Sequence, residues 1–126
     1  MKVAVPTNNP GGLAATRSGH FGHCDLFTLV DIEDGRIANV ETLSNVEHSE
    51  GGCLVPVNLL KAQNVDALVV GGMGYRPLMG FKDVGIDIYY AAPETFIDAQ
   101  SVLNAFVAGQ LSVMEPQQAC GGGHQH

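Results

Sequence analysis

Residues 66–75, DALVVGGMGY, decide how this chain is expected to fold. The first half of the stretch, residues 66–71, is a short apolar run of the kind found in strands that are covered on both faces. The glycines that follow allow the backbone to approach a bulky ligand, and their N–H groups can donate hydrogen bonds to it. Because ligands of open α/β sheets bind beyond the carboxyl ends of parallel strands, this exit predicts both an α/β fold and the position of its site.

The segments on either side predict further strands and helices. Hydrophobic periodicity, proline and glycine positions predict strands at 2–6, 25–33, 37–43, 66–71 and 86–91, and helices at 53–63, 77–84 and 95–108. The sequence EDGR at residues 33–36 predicts a tight turn, whereas residues 111–114 give no clear signal. Alternating strands and helices in the second half indicate parallel strands with right-handed crossovers, and the hairpin adds an antiparallel strand to make a mixed sheet.

The length and charge of the chain limit its organisation and its partners. A chain of 126 residues fits one domain, which we assign to residues 1–112, followed by a flexible tail at 113–126 that contains cysteine and histidine. The net charge is −7 and the pI is near 4.9. Nucleic acids and anionic membrane surfaces are therefore disfavoured as partners, because phosphate binding requires many lysines and arginines.

The cysteines and the start of the chain predict a reducing compartment. Three cysteines that lie far apart in the sequence argue against a disulfide framework. The first residues, MKVAVPTNN, do not resemble a signal peptide, and no apolar run approaches the roughly 20 residues of a membrane span. We therefore expect a cytoplasmic protein without a membrane anchor.

Three loops are predicted to meet at the exit of residues 66–71. If strand 25–33 runs antiparallel to strand 2–6, the residues before it lie at this edge, and so does the loop that follows strand 37–43. Together the three loops carry imidazole, thiol and thioether groups: His20, His23, Cys24, His48, Cys53 and Met73. Such ligands suit copper, zinc or iron–sulfur centres rather than magnesium or calcium.

Ordinary structural roles remain open for each of these residues. The spacing of His20, His23 and Cys24 is not that of a zinc finger. A free cysteine is commonly a small buried apolar residue, a loop histidine is commonly solvated, and Met73 could plug the end of the sheet. The tail residues Cys120, His124 and His126 form a tract of a type that can bind metal, or they belong to an inert chain end.

Catalysis is the weaker prediction. The chain contains no G-x-S-x-G, and GGMGYRP lacks the Lys-Ser/Thr of a phosphate-binding loop. No G-x-G-x-x-G fingerprint follows the first strand. The carboxylates Asp31, Glu33 and Asp34 lie toward a turn, where a solvated hairpin is the simpler interpretation. We therefore expect binding rather than turnover.

Several segments together resemble the dinitrogenase iron–molybdenum cofactor biosynthesis family. They are KVAVPTN (2–8), SGHFGHCDLFTLVDIEDG (18–35), GGC (51–53), VDALVVGGMGYRPLMGF (65–81) and GIDIYY (85–90). The resemblance extends over residues 1–109. The family includes nitrogenase-cofactor carriers, the C-terminal domain of the radical enzyme of cofactor assembly, and the orange protein of sulfate reducers.

The resemblance implies a fold and a function. The fold is a ribonuclease H-like three-layer α/β fold, with a mixed five-stranded sheet that has one antiparallel strand and with helices on both faces. The function is non-enzymatic binding, storage or transfer of a metal–sulfur cluster, of the molybdenum–copper or the iron–molybdenum or iron–sulfur type. An anionic cluster in an acidic chain requires local donors, which we expect to be imidazolium groups, glycine N–H groups, the helix start and Arg17 or Arg76.

The family motifs map onto particular residues of this chain. His20, Phe21, Gly22 and His23 match the first-loop motif, and His48 lies where the second loop often has histidine. Gly72, Met73 and Gly74 match the third motif, and Gly52 is the second-loop glycine expected near the cluster. Cys24 and Cys53 are present in only some members, so the resemblance supports them less directly.

The resemblance also suggests partners and leaves two alternatives. It implies an ATPase of the Mrp/MinD type or a cofactor-assembly protein as partner, and we expect a monomer or weak dimer. In the first alternative the chain is an acidic interaction or regulatory module that docks on such an ATPase. In the second it is a simple zinc or copper chaperone that uses the tail residues.

Overall fold

The computed structural model of the chain describes residues 1–9, 11–18, 26–44, 54–92 and 95–114, with the backbone alone at 54–56. The strands are β1 (Lys2–Thr7), β2 (Leu26–Glu33), β3 (Arg36–Ser44), β4 (Ala67–Val70), β5 (Asp87–Tyr90) and β6 (Ser112–Val113). The helices are α1 (Leu54–Ala62), α2 (Tyr75–Asp83) and α3 (Ala99–Val107). All eight predicted elements are therefore present, with shifted ends.

The strands form one mixed sheet in the order β3-β2-β1-β4-β5-β6. Strands β1, β4 and β5 are parallel, β2 is antiparallel to β1 and to β3, and β6 is antiparallel to β5. The mixed α/β fold is confirmed, but the expected count of five strands with one antiparallel strand is wrong. The sheet of the described residues has six strands, of which β2 and β6 run against the others.

The sixth strand depends on a long-range contact. Its two residues pair with Tyr89 and Tyr90, and the N–H of Met114 donates to the carbonyl of Ile88 at 2.6 Å. Met114 is buried in the core, which anchors the strand. The predicted boundary between domain and tail, after residue 112, falls inside β6.

The core lies on both faces of the sheet. On one face, Ala4, Leu68 and Ile88 belong to a buried cluster with residues of α1 and α2, among them Val57, Leu60, Leu78 and Phe81. On the other face, Val3, Val5 and Val69 belong to a cluster with Ala99, Val102 and Leu103 of α3. All four residues of β4 are buried, as the apolar run predicts.

Local signals explain two of the connections. Asp34 and Gly35 have φ values of 53° and 74°, which is the backbone of a two-residue hairpin turn with positive φ at both central positions. Helix α3 begins four residues later than predicted because Asp98 is its N-cap, and the Asp98 carboxylate accepts a hydrogen bond of 2.9 Å from the Ser101 N–H. Residues 97 and 98 instead contact residues 16 and 17 as extended chain.

Candidate functional site

The strand order contains a topological switch point between β1 and β4. These strands are parallel neighbours, yet the chain leaves β1 for β2 on one side and leaves β4 for β5 on the other. A crevice opens where neighbouring strands diverge in this way, and it is the usual ligand position in open α/β sheets. We name this end of the sheet the switch-point edge. It comprises the carboxyl ends of β1, β3, β4 and β5 and the amino end of β2.

The described flanks of the three ligand-rich loops lie at this edge. Leu26 at the start of β2 pairs with Thr7 at the end of β1 and with Ser44 at the end of β3. Residues 19–25 directly precede Leu26, residues 45–53 directly follow Ser44, and residues 71–74 follow β4. The prediction that these loops attach to one edge of the sheet is therefore confirmed for their described flanks.

Most of the predicted site residues lie outside the described residues. They include Phe21, Gly22 and Gly52. They also include all five histidines and all three cysteines of the chain, which are His20, His23, Cys24, His48, Cys53, Cys120, His124 and His126. Within the described ranges, no group of three histidine, cysteine, aspartate or glutamate side chains could hold a metal ion. Ligation by the predicted residues stays a prediction.

Met73 is the predicted ligand whose side chain the structure describes. It is 3% exposed and belongs to the same buried cluster as Phe27 and Leu78. Its neighbours Gly72 and Gly74 are partly buried. The thioether therefore contributes to the core beneath the switch-point edge, which is the plugging role that the sequence left open.

Helix α2 begins at this edge. Gly74 is its N-cap, with extended backbone at φ −71° and ψ 165°, and it provides no side-chain cap. Tyr75 and Arg76 in the first turn are exposed. The N–H groups and the positive end of the helix dipole at this position favour a negatively charged group.

Arg17 lies at the switch-point edge, beside the carboxyl end of β1. Thr7, at the end of β1, pairs with Leu26 of β2 on one side and with Arg17 on the other side. The second side is the one on which β4 pairs with earlier residues of β1. The Arg17 Nη1 donates to the carbonyl of Phe96 at 3.0 Å and to that of Ala92 at 3.5 Å. Burial lowers the pKa of the guanidinium, and nearby Tyr90 opposes this effect. The sequence indicates a local cation but not this position.

A buried hydroxyl pair holds the loop that carries Arg17. The hydroxyl oxygens of Thr7 and Thr28 are 2.9 Å apart, and the Gly12 N–H donates to Thr28 Oγ1 at 3.0 Å. Gly11 approaches the sheet so closely that a Cβ there would lie 2.6 Å from Leu26 Cδ1. These contacts place residues 11–18 against the sheet, and no pattern in the sequence predicts them.

The described part of the chain contains no helix with the length and hydrophobicity that a membrane span requires.

Comparisons with known proteins give the family of the chain. The family model described as Dinitrogenase iron-molybdenum cofactor matches residues 1–109. The uncharacterized protein MJ0580 of Methanocaldococcus jannaschii is 33% identical over 117 residues, which cover 91% of this chain and 92% of that protein. The crystal structure of PH0822 is 29% identical, with a TM-score of 0.71, and covers 90% of this chain and 96% of that chain.

The orange protein of Desulfovibrio gigas, solved in its apo form, has a similar fold. Its TM-score is 0.76 at 20% identity, over 90% of this chain and 92% of that chain. At this identity the similarity concerns the fold alone. The match of the family model over residues 1–109 covers most of the sequence. The chain therefore belongs to the dinitrogenase iron-molybdenum cofactor family.

Proposed function

We propose that this protein binds a metal–sulfur cluster at the switch-point edge and stores it or passes it on. The cluster is of the molybdenum–copper type or of the iron–molybdenum or iron–sulfur type. One observation carries the proposal: the described flanks of three loops rich in histidine, cysteine and glycine lie at the same edge of the sheet as the switch point between β1 and β4. The family, described by the iron–molybdenum cofactor of dinitrogenase, supports the same class of ligand.

The proposed ligands come from the first and second loops. They are His20, His23, Cys24, His48 and Cys53, whose imidazole and thiolate groups suit copper, iron and cluster sulfides. The glycines on either side of Met73 bring backbone N–H groups close to the ligand, while Met73 itself stabilises the sheet end beneath it. In this proposal the loops hold the cluster and the buried strand ends fix where they start.

The described side chains of the switch-point edge favour cluster binding over catalysis. Its buried hydroxyls, Thr7 and Thr28, hydrogen-bond to each other, and Thr28 also accepts from a backbone N–H. A nucleophilic hydroxyl requires a neighbouring base, and these two are instead engaged in fixing a loop. This arrangement supports a binding protein.

Cluster content of the native protein tests the proposal. The full chain is purified without oxygen or chelators, and its visible spectrum and its iron, molybdenum, copper and zinc contents are measured. We expect sulfide charge-transfer bands and stoichiometric molybdenum or iron. Protein that is colourless, and that also takes up neither tetrathiomolybdate with copper nor an iron–sulfur precursor, would contradict the proposal.

Two matched double variants distinguish cluster binding at the switch-point edge from metal binding by the tail. His20→Ala/His48→Ala removes imidazoles from two loops at the edge, whereas His124→Ala/His126→Ala removes the same groups from the tail. We expect the first variant to lose cluster and the second to retain it. The opposite result would favour the simple zinc or copper chaperone that binds through its tail.

The partners of the carrier follow from the same proposal. An ATPase of the Mrp/MinD type or a cofactor-assembly protein would load or receive the cluster in the cytoplasm, and the carrier itself would be a monomer or weak dimer. Transfer is measured by mixing loaded carrier with a purified ATPase of this type and separating the two by size. Movement of metal to the ATPase supports the partnership, and retention of all metal by the carrier contradicts it.

A further inference from the structure

We propose that Arg17 is the anion-binding residue of the switch-point edge. It would bind a dianion rich in sulfur or oxygen, the class to which a thiometalate belongs. The inference rests on the proposed function for the class of ligand, but it assigns the binding charge to one residue of the described structure.

The position of Arg17 follows from the strand pairing. Within the sheet, β4 pairs with Val3 and Ala4 of β1 and not with the later residues of that strand. Beyond this point residues 16–18 lie beside β1 instead. The Asn8 N–H donates to Thr16 O at 3.0 Å, and the Ser18 N–H donates to Pro6 O at 2.9 Å. Arg17 therefore occupies the place where β1 and β4 diverge, which is where such folds bind ligands.

The side chain then spans the end of β4. Its backbone is beside β1, whereas its guanidinium reaches the carbonyls of Ala92 and Phe96, which follow β5. Since β4 lies between β1 and β5, the guanidinium lies near the carboxyl end of β4, where the glycine-rich exit begins. Arg17 and residues 71–74 thus lie at the same edge of the sheet.

The charge of Arg17 lacks a counter-ion among the described residues. Its Nη1 contacts two neutral carbonyls, and its Nε is buried without a hydrogen-bond partner among the described residues. The influences on its pKa are burial and Tyr90, and they include no described carboxylate. A partly buried cation with an unused donor is unfavourable alone, so an anion that accepts from Nε would satisfy both the charge and the donor.

The neighbouring carboxylate of Asp98 is engaged elsewhere. Asp98 lies next to Thr16 through an isolated bridge, but its carboxylate accepts from the Ser101 N–H and caps α3. The start of α2, which has no side-chain cap, adds favourable potential for an anion at the same edge. In a chain of net charge −7, Arg17 and the start of α2 are thus two sources of positive potential among the described residues of this edge.

Titration with tetrathiomolybdate, MoS4 2−, tests the inference on the full chain. Arg17→Gln removes the charge, and Arg17→Lys keeps the charge. Arg36→Gln is the matched control, because Arg36 is exposed at the hairpin end of β3. Circular dichroism and the melting temperature without ligand establish that each variant is folded.

We expect Arg17→Gln to weaken binding about tenfold or more, as loss of a charge-assisted hydrogen bond does. Arg17→Lys should weaken binding less than Arg17→Gln does, and Arg36→Gln should bind like the original chain. A folded Arg17→Gln that binds tetrathiomolybdate as tightly as the original chain would overturn the inference.

A second measurement needs no charge-removing variant. The Nε–H resonance of Arg17 is identified by its disappearance in Arg17→Lys and is then followed in the original chain as tetrathiomolybdate is added. We expect it to shift with saturation, and binding that leaves it unmoved would overturn the inference. Failure of the original chain to bind the anion would count against the proposed function as well, whereas intact binding by Arg17→Gln counts against this inference alone.

Discussion

The two ends of the sheet satisfy their polar groups in different ways. At the end opposite the switch-point edge, the Lys2 N–H donates to the Asp66 carboxylate at 2.8 Å, and the Asp66 N–H donates to Lys2 O at 2.8 Å. The Asp87 N–H donates in turn to Asp66 O at 3.1 Å. These bonds join the starts of β1, β4 and β5, so the chain closes this end with its own groups.

The described part of the switch-point edge is closed less completely. Arg17 contacts carbonyls rather than carboxylates there, its Nε has no partner among the described residues, and α2 starts without a side-chain cap. The same parallel strands pass through both ends, so the sheet does not impose the difference. Among the described residues, one end is closed by its own hydrogen bonds, and the other has an unpaired donor, which we propose serves a ligand.

Strand β4 connects the two ends of the sheet, and shortening one of its side chains should have the largest effect on stability. Leu68 is fully buried, so Leu68→Ala should lower the free energy of unfolding by about 2–5 kcal/mol through lost burial and a residual cavity. Urea denaturation measures the change. Val40→Ala on the exposed strand β3 is the control and should cost about 0.5 kcal/mol or less. Equal effects of the two variants would contradict the assignment of β4 to the core.

A smaller effect on stability is expected for substitution of two adjacent glycines in the loop of the switch-point edge, and it should differ between them. Gly11 and Gly12 have φ values of 80° and 91°, so alanine at either position should cost about 1–2 kcal/mol in backbone strain. A Cβ at Gly11 would also lie 2.8 Å from Thr42 Cγ2, whereas one at Gly12 would meet nothing within 4 Å. Thermal unfolding should therefore show Gly11→Ala to be the less stable variant. Equal melting temperatures would indicate that the loop does not lie tightly on the sheet.

The smallest effect concerns the cap of α3 and depends on pH. Hydrogen bonds from Ser101 lower the pKa of Asp98, so its ionised form stabilises the folded state. This contribution is complete above the unfolded pKa of about 3.9 and is lost as the pH falls through the lower folded value. Asp98→Ala should therefore be less stable than the original chain at pH 7, by an amount that shrinks below pH about 4. A difference that is independent of pH would contradict the role of the carboxylate.

Much of the fold could be predicted because its signals are local. The apolar run of β4 and the EDGR turn each determine their own structure within a few residues. Helix α3 begins later than predicted because Asp98 caps it and because residues 97–98 contact residues 16–17, far away in the sequence. Strand β6 was missed for the same reason, since two residues have no detectable periodicity and depend on buried Met114 for their position.

The sequence predicted the location of the candidate site better than the side chains that form it. Strand directions follow from the order of elements, so the sequence correctly predicts which edge holds the flanks of the loops. The burial of Met73 and the place of Arg17 depend on packing between distant segments, which no spacing rule describes. The histidines and cysteines of the prediction lie outside the described residues.

A map of backbone amide shifts tests the difference between the two ends most directly. Tetrathiomolybdate with copper(I) is diamagnetic, so ¹H–¹⁵N spectra of the full chain can be followed as it is added. Cluster binding at the switch-point edge predicts shifts at residues 7–8, 16–18 and 71–76, with residues 2, 66 and 87 unmoved. Shifts confined to the opposite end or to the tail, or a spectrum that does not change, would contradict the claim that the switch-point edge binds the cluster.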